Sequence, residues 1–262
     1  MQNNKPHIDL KDIYVDGVDT LKRAQGLKQL VFGKGGLKGY EIPILKGASF
    51  SAKPGDRIGI VGRNGSGKSS LLKVIAGIYP PKSGIVDVCG SIAPLISMGI
   101  GFENDFTGRH NIKVGLLYSN RFYDYSIDME EKIIEFSELG EKIDTPIKGY
   151  SSGMLARLSF SIAVFQNPDI LLLDEVFATG DADFREKSIK LMREKFSSVP
   201  ISILVTHSPE IILEMCNRCV WMEDGKVKME GTTKNVISEY DHNSYIKFSA
   251  LEEKGLEYVS SP

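Results

Sequence analysis

Three short apolar runs punctuate the chain: Arg57-Ile58-Gly59-Ile60-Val61, Ile170-Leu171-Leu172-Leu173 and Ile201-Ser202-Ile203-Leu204-Val205. Each is a few residues long, rich in Ile, Leu or Val, and stops at a polar or glycine turn. Such runs read as strands buried on both faces of a parallel sheet. A helical pattern follows each one: residues 69–79, residues 183–196 with Phe184, Leu191 and Phe196 near helical spacing, and residues 209–219. This alternation predicts an α/β fold on a mostly parallel sheet, with ligand groups at the carboxyl ends of the strands.

The flanking regions differ. Residues 7–15 and 44–51 read as strands of an antiparallel β layer. Between them lies a glycine- and lysine-bearing insertion, 16–40, whose centre fits a short amphipathic helix. Its Lys22, Arg23, Lys28, Lys34 and Lys38 outnumber Asp16 and Asp19, which leaves a membrane-proximal contact and a solvated loop both open. Residues 103–165 are more helical and hold no long apolar strand, so they read as an inserted helical lobe. Periodicity fades from about 243. The expected division is one domain over 1–240 with a loosely attached tail over 241–262.

Composition narrows the class. Hydrophobic residues make up 42% of the 262 and charged residues 25%, ordinary for a globular protein. The net charge of −2 gives no global pull toward nucleic acid or anionic lipid. No run approaches the ~18 apolar residues of a membrane span, and the N-terminus lacks the pattern of a signal peptide. Any membrane process would then be served through a partner. Cys89, Cys216 and Cys219 are too sparse for a disulfide framework and fit a reducing compartment. Cys216 and Cys219 form a CxxC without a second pair at metal spacing. They read as small buried residues in a helix that runs into the strand Val220-Trp221-Met222.

Gly62-Arg63-Asn64-Gly65-Ser66-Gly67-Lys68-Ser69 matches the GxxxxGK[ST] phosphate loop in full, between a predicted strand and a predicted helix. The glycines let successive N–H groups turn inward toward phosphate oxygens. The helix beginning near Lys68 adds its positive end. Lys68 is the candidate for the β- and γ-phosphates, the Ser69 hydroxyl for Mg²⁺, and Ser70 is counted with the loop. The second run ends in Asp174-Glu175. Asp174 is the candidate metal holder, and Glu175 the candidate base that polarises the attacking water. His207 tops the third run, where a donor contacts a γ-phosphate or holds the water in line.

The order of these pieces resembles that of ABC ATPase domains: Walker A, a helical lobe, a short signature, Walker B with a following glutamate, then a switch histidine. The signature position is Tyr150-Ser151-Ser152-Gly153-Met154, where LSGGQ is commonest, and Ala178-Thr179-Gly180-Asp181 stands at the D-loop. The variants YSSGMxxRLxFxxA and DEVxAxGD, with Thr107-Gly108-Arg109-His110-Asn111-Ile112, look like the ATP-binding subunits of bacterial polysaccharide exporters for O-antigen, capsule or teichoic acid. The resemblance covers about residues 7–240. It implies a P-loop NTPase with a RecA-like core, an N-terminal antiparallel β layer and an inserted α-helical subdomain. It also implies ATP and Mg²⁺ as ligands, and a homodimer in which Ser151, Ser152 and Gly153 of one subunit, with Asp181, close over ATP on the other. Partners would be a pair of integral membrane permease subunits at the cytoplasmic face of the bacterial inner membrane, with no nucleic acid. Glu103 stands where the family's Q-loop has glutamine, making it a further metal candidate. Tyr14 is the first choice for the aromatic that stacks on adenine, Tyr40 the second. Two rivals remain: another transporter class, and a soluble mechanical ABC ATPase. The lobe has no room for the long coiled coil of DNA-repair members, and the chain holds a single ATPase domain rather than two in tandem.

Overall fold

The computed structural model of the chain describes residues 5–18, 41–95, 101–118, 125–174 and 182–252. The three apolar runs form strands β3 (Arg57–Val61), β6 (Ile170–Asp174) and β7 (Ile201–Val205). They sit in a six-stranded sheet of order β5-β6-β7-β3-β8-β9, completed by β5 (Ile92–Leu95), β8 (Arg218–Glu223) and β9 (Lys226–Thr232). Every neighbouring pair is parallel except β8–β9. A second, antiparallel sheet has the order β2-β1-β4, from β1 (His7–Val18), β2 (Glu41–Ala52) and β4 (Ser83–Cys89).

Successive residues of the buried strands feed two different cores, as a period of two requires. Ile58, Ile60, Leu172 and Ile203 face a core shared with Ile8, Leu10 and Phe50 of the antiparallel sheet and with Leu71 and Val74 of α1 (Lys68–Ile75). Leu171, Leu173, Leu204 and Trp221 face the other, shared with α5 (Ala182–Ser198), α6 (Pro209–Met215) and α7 (Thr233–Glu252). Gly59 permits this second layer to close down: a Cβ there would lie 2.5 Å from Ile212 of α6.

The region 103–165 is helical, with α2 (Gly108–Tyr118), α3 (Ile127–Ser137), two short 3₁₀ turns and α4 (Ser152–Phe165). It has a third core, containing Ile112, Leu116, Ile133, Leu158 and Ile162. Helix α4 belongs to two cores, since Phe160, Ala163 and Val164 pack with the second.

One expectation needs correction. The CxxC does not lie in a helix: α6 stops at Met215, Cys216 is its C-cap, and Cys219 sits inside β8. Both are buried, and burial pushes each thiol up to about 12. The backbone of α7 runs helical to Glu252. Val236, Ile237 and Tyr240 anchor α7 against Trp221 and the second core, and a helix once nucleated adds residues at little cost. Most of the insertion, residues 19–40, lies outside the described residues.

The lobe is fixed by an ionic knot. Arg109 Nε donates to Asp144 Oδ1 at 2.7 Å and its Nη1 to Glu130 Oε1 at 2.8 Å. Burial pushes the Glu130 carboxyl up, but hydrogen bonds from Tyr125 and Arg109 outweigh it and hold the group below the ordinary 4.5. A depressed carboxylate contributes stability above its unfolded pKa and loses it as pH falls through the folded one. Glu130→Gln should therefore lower the melting temperature at neutral pH. The two melting curves should converge as pH is lowered to about 3.

Candidate nucleotide site

Parallel pairing brings the candidate groups to one edge of the sheet. Asp174 pairs with Val205, and Val205 pairs with Ile60. These three positions lie level, two strand spacings or roughly 10 Å across. Two residues beyond Ile60 the phosphate loop begins, and two residues beyond Val205 stands His207. Asp174 is half-buried and His207 exposed. The turn that carries His207 is held locally: the Ser208 N–H donates to Thr206 Oγ1 at 3.2 Å, and Ser208 caps α6 ahead of Pro209.

The loop owes its shape to glycine. Gly62, Gly65 and Gly67 have φ of +150°, +78° and +101°, in a region that L side chains rarely adopt. At Gly62 a Cβ would lie 2.3 Å from the Met222 carbonyl oxygen, and at Gly67 2.8 Å from Leu45 Cδ2. Gly65 faces open space. Gly67 caps α1 without a side chain, so no side-chain oxygen covers the helix's first N–H groups. The loop is braced from outside. The Gly225 N–H donates to the Ser66 carbonyl at 3.1 Å, and the Lys46 N–H donates to the Gly225 carbonyl at 2.9 Å.

Lys68 is 7% exposed and folds back on the loop, its Nζ donating to the Gly62 and Arg63 carbonyls at 2.7 and 3.1 Å. Ser66 Oγ is buried with no hydrogen-bond partner among the described residues. A hydroxyl left so costs about 1–3 kcal/mol, which suits the loop to a polar occupant. Arg63, Asn64 and Gly65 are exposed, while Ser69 and Ser70 are half-buried. A loop shaped by left-handed glycines, a buried ammonium, a serine hydroxyl and Asp174 fit MgATP. Mg²⁺ commonly takes one or two protein ligands and completes its shell with phosphates and water. Among the described residues no three His, Cys, Asp or Glu gather as a separate metal site.

The signature residues stand at the N-terminus of α4. Ser151 is the N-cap, its Oγ accepting from the Met154 N–H at 3.2 Å, and Ser151 and Ser152 are exposed. Tyr150 stands where the family's commonest form has leucine, and the structure shows what it does. It is buried, its hydroxyl donates to the Lys142 carbonyl at 2.6 Å, and it packs where Gly108 leaves room. Glu103 is exposed, in a loop pinned by Asn111. The Glu103 N–H donates to Asn111 Oδ1 at 2.8 Å, and Asn111 Nδ2 reaches the Glu103 and Thr107 carbonyls. Asn111 is fully buried. In the sequence Asn111 figures only within the segment Thr107–Ile112, with no role of its own, although an asparagine inside a helix is a signal of local backbone bonding.

Tyr14 lies on β1 opposite Lys46, with its ring over Gly47 and 44% of the residue exposed. Lys46 leads through Gly225 to the phosphate loop, so Tyr14 is one strand removed from the bracing bonds. Glu175, Asp181 with the rest of the D-loop, and Tyr40 lie outside the described residues.

A family model described as ABC transporter matches residues 45–178. The chain is 45% identical over 199 residues to a teichoic acids export ATP-binding protein of Enterococcus faecalis, covering 75% of this chain and 44% of that one. It is 42% identical to an O-antigen export system ATP-binding protein of Myxococcus xanthus, spanning 46% of its length. A Klebsiella pneumoniae protein of the same description is 40% identical over 220 residues, covering 82% of this chain and 89% of that one. In fold the chain resembles a dimeric ATP-binding cassette in a post-hydrolysis state bound to ADP and Pi, with a TM-score of 0.64 and 20% identity over 86% of this chain and 98% of that one.

The glycine geometry yields a graded expectation. Gly65→Ala meets no neighbour and bears only the left-handed penalty, roughly 1–2 kcal/mol. Gly67→Ala adds the displacement of Leu45, roughly 1–3 kcal/mol more. Urea denaturation of the two variants should place Gly67→Ala clearly below Gly65→Ala.

Proposed function

The chain belongs to the ABC transporter family, and from that premise we propose that it is the ATP-hydrolysing subunit of a polysaccharide exporter, of O-antigen, capsule or teichoic-acid type. The observation that carries the ATPase half is the shared sheet edge, where Asp174 lies level with Val205 and Ile60, the residues that lead into His207 and the phosphate loop. The cargo half is supported by the descriptions of the curated relatives.

In this reading the inward N–H groups between Gly62 and Ser69 hold the phosphates of ATP, and Lys68 turns from the loop carbonyls toward the β- and γ-oxygens. Ser69 and Asp174 would hold Mg²⁺, which when bound neutralises charge on the phosphates. Tyr14 stacks on adenine. Glu175 accepts the proton of the attacking water, and His207 holds the water and γ-phosphate in line. Ser151, Ser152 and Gly153 of a second copy, with the N-terminus of its α4, close over the γ-phosphate, and Asp181 lines that junction. Glu103 reports on the metal side of the same junction. The closed dimer binds ATP better than ADP, and that difference drives opening and closing. Residues 1–240 form the ATPase unit, with 103–165 as its lobe. Among the described residues no helix is long and apolar enough to cross a membrane. The proposed seat is the cytoplasmic face of the bacterial inner membrane, on a pair of permease subunits.

The test is the ATPase activity of membranes in which the chain is co-expressed with the membrane subunit encoded beside it. Glu175→Gln should abolish turnover while trapping an ATP-loaded dimer, visible by size-exclusion chromatography. Lys68→Ala should lower turnover by roughly 10²-fold or more, the scale of a lost transition-state donor. Undiminished hydrolysis by Glu175→Gln with no ATP-dependent dimer would overturn the mechanism. Equal activity without the neighbour, and no co-purification with it, would overturn the export reading.

A further inference from the structure

Glu138, the residue after α3, is held in the left-handed conformation at φ 54°. Glycine is the usual occupant of such a helix end. A long carboxylate kept in a strained position is a feature from which function is worth inferring. Its two oxygens accept from two different elements. Arg157 Nη1 of α4 donates to Oε2 at 2.6 Å, and Lys187 Nζ of α5 donates to Oε1.

The surroundings turn this exposed ion pair into a built joint. Lys187 Nζ also donates to the Phe136 carbonyl at 2.9 Å and lies 4.5 and 4.9 Å from the Phe136 and Phe184 ring centres. Arg157 lies 4.7 Å from the same Phe184 ring, and its side chain is only 17% exposed. Phe136 and Phe184 meet edge to face at 5.6 Å. Two cations therefore converge on one carboxylate over one aromatic pair, and that carboxylate's pKa is depressed, first by the Lys187 hydrogen bond. Without it, two like charges would face each other over Phe184.

The joint's position gives it meaning. Arg157 is five residues into the helix from Ser152, roughly 7.5 Å along the axis. Lys187 lies on the helix that follows the segment bearing Glu175 and Asp181. We propose that Glu138 is a positioning residue that sets the angle of α4 against α5, and so the aim of Ser151, Ser152 and Gly153 at a second copy's phosphate loop. The proposal rests on the ATPase reading above. It concerns closure between copies and not the binding of ATP to one copy's own loop.

Glu138→Gly separates this role from a merely structural one, because glycine removes the carboxylate and the left-handed strain together. The melting temperature should stay within about 4 °C of wild type, and ATP binding to the isolated subunit, followed with a fluorescent analogue, should change less than twofold. Turnover should fall roughly tenfold, the scale of a modest misalignment. ATP-driven dimerisation in a Glu175→Gln background should weaken by a similar factor. Adding Lys187→Met, which removes the repulsion, should recover part of both losses. Turnover and dimerisation equal to wild type would overturn the proposal, as would losses that merely track a collapse in melting temperature. A wild-type chain that neither hydrolyses ATP nor dimerises would instead overturn the underlying reading, and this proposal with it.

Discussion

Parallel pairing makes β6, β7 and β3 point their carboxyl ends the same way, and the register makes Asp174, Val205 and Ile60 level. A slip of one residue in either pairing would exchange the faces of every side chain on the slipped strand. Leu171 and Leu173 would then trade cores with Ile170 and Leu172, all of them fully buried. The apolar demand of two cores thus holds the register, and the register holds the chemistry at one edge. No residue of the phosphate loop has to find Asp174 by its own contacts.

The loop adds the opposite kind of constraint. Its shape comes from backbone freedom at Gly62 and Gly67, used where neighbours leave no room for a Cβ. The bracing bonds from Gly225 and Lys46 carry the antiparallel sheet into the same structure. That sheet is more than a cover on the first core: it braces the phosphate loop from outside.

Much of this was legible from the chain because the signals are local. A short apolar run bounded by turns marks a buried strand, and GxxxxGK[ST] fixes both the spacing and the context of the loop. What was missed depends on partners distant in sequence. The CxxC straddles a helix end and a strand because Cys219 pairs beside Gly59 in β3, which no local pattern announces. The seat of α7 on the sheet uses Tyr240 against Trp221, a pairing of residues distant in sequence. Tyr150 read only as a departure from leucine, since its hydrogen bond and the space at Gly108 are both tertiary. The joint at Glu138 gathers residues from three helices and has no signature along the chain at all.

Helix α4 has one consequence beyond its packing. Leu158 and Ile162 are seated in the lobe's core, while Phe160, Ala163 and Val164 are seated in the core of the parallel sheet. Close-packed interiors deform in discrete steps rather than smoothly. A rod clamped in two such interiors cannot swivel in one without shearing the other. The lobe therefore behaves as a lever with its fulcrum inside the protein, and torque applied at either end arrives at the other within the same helix.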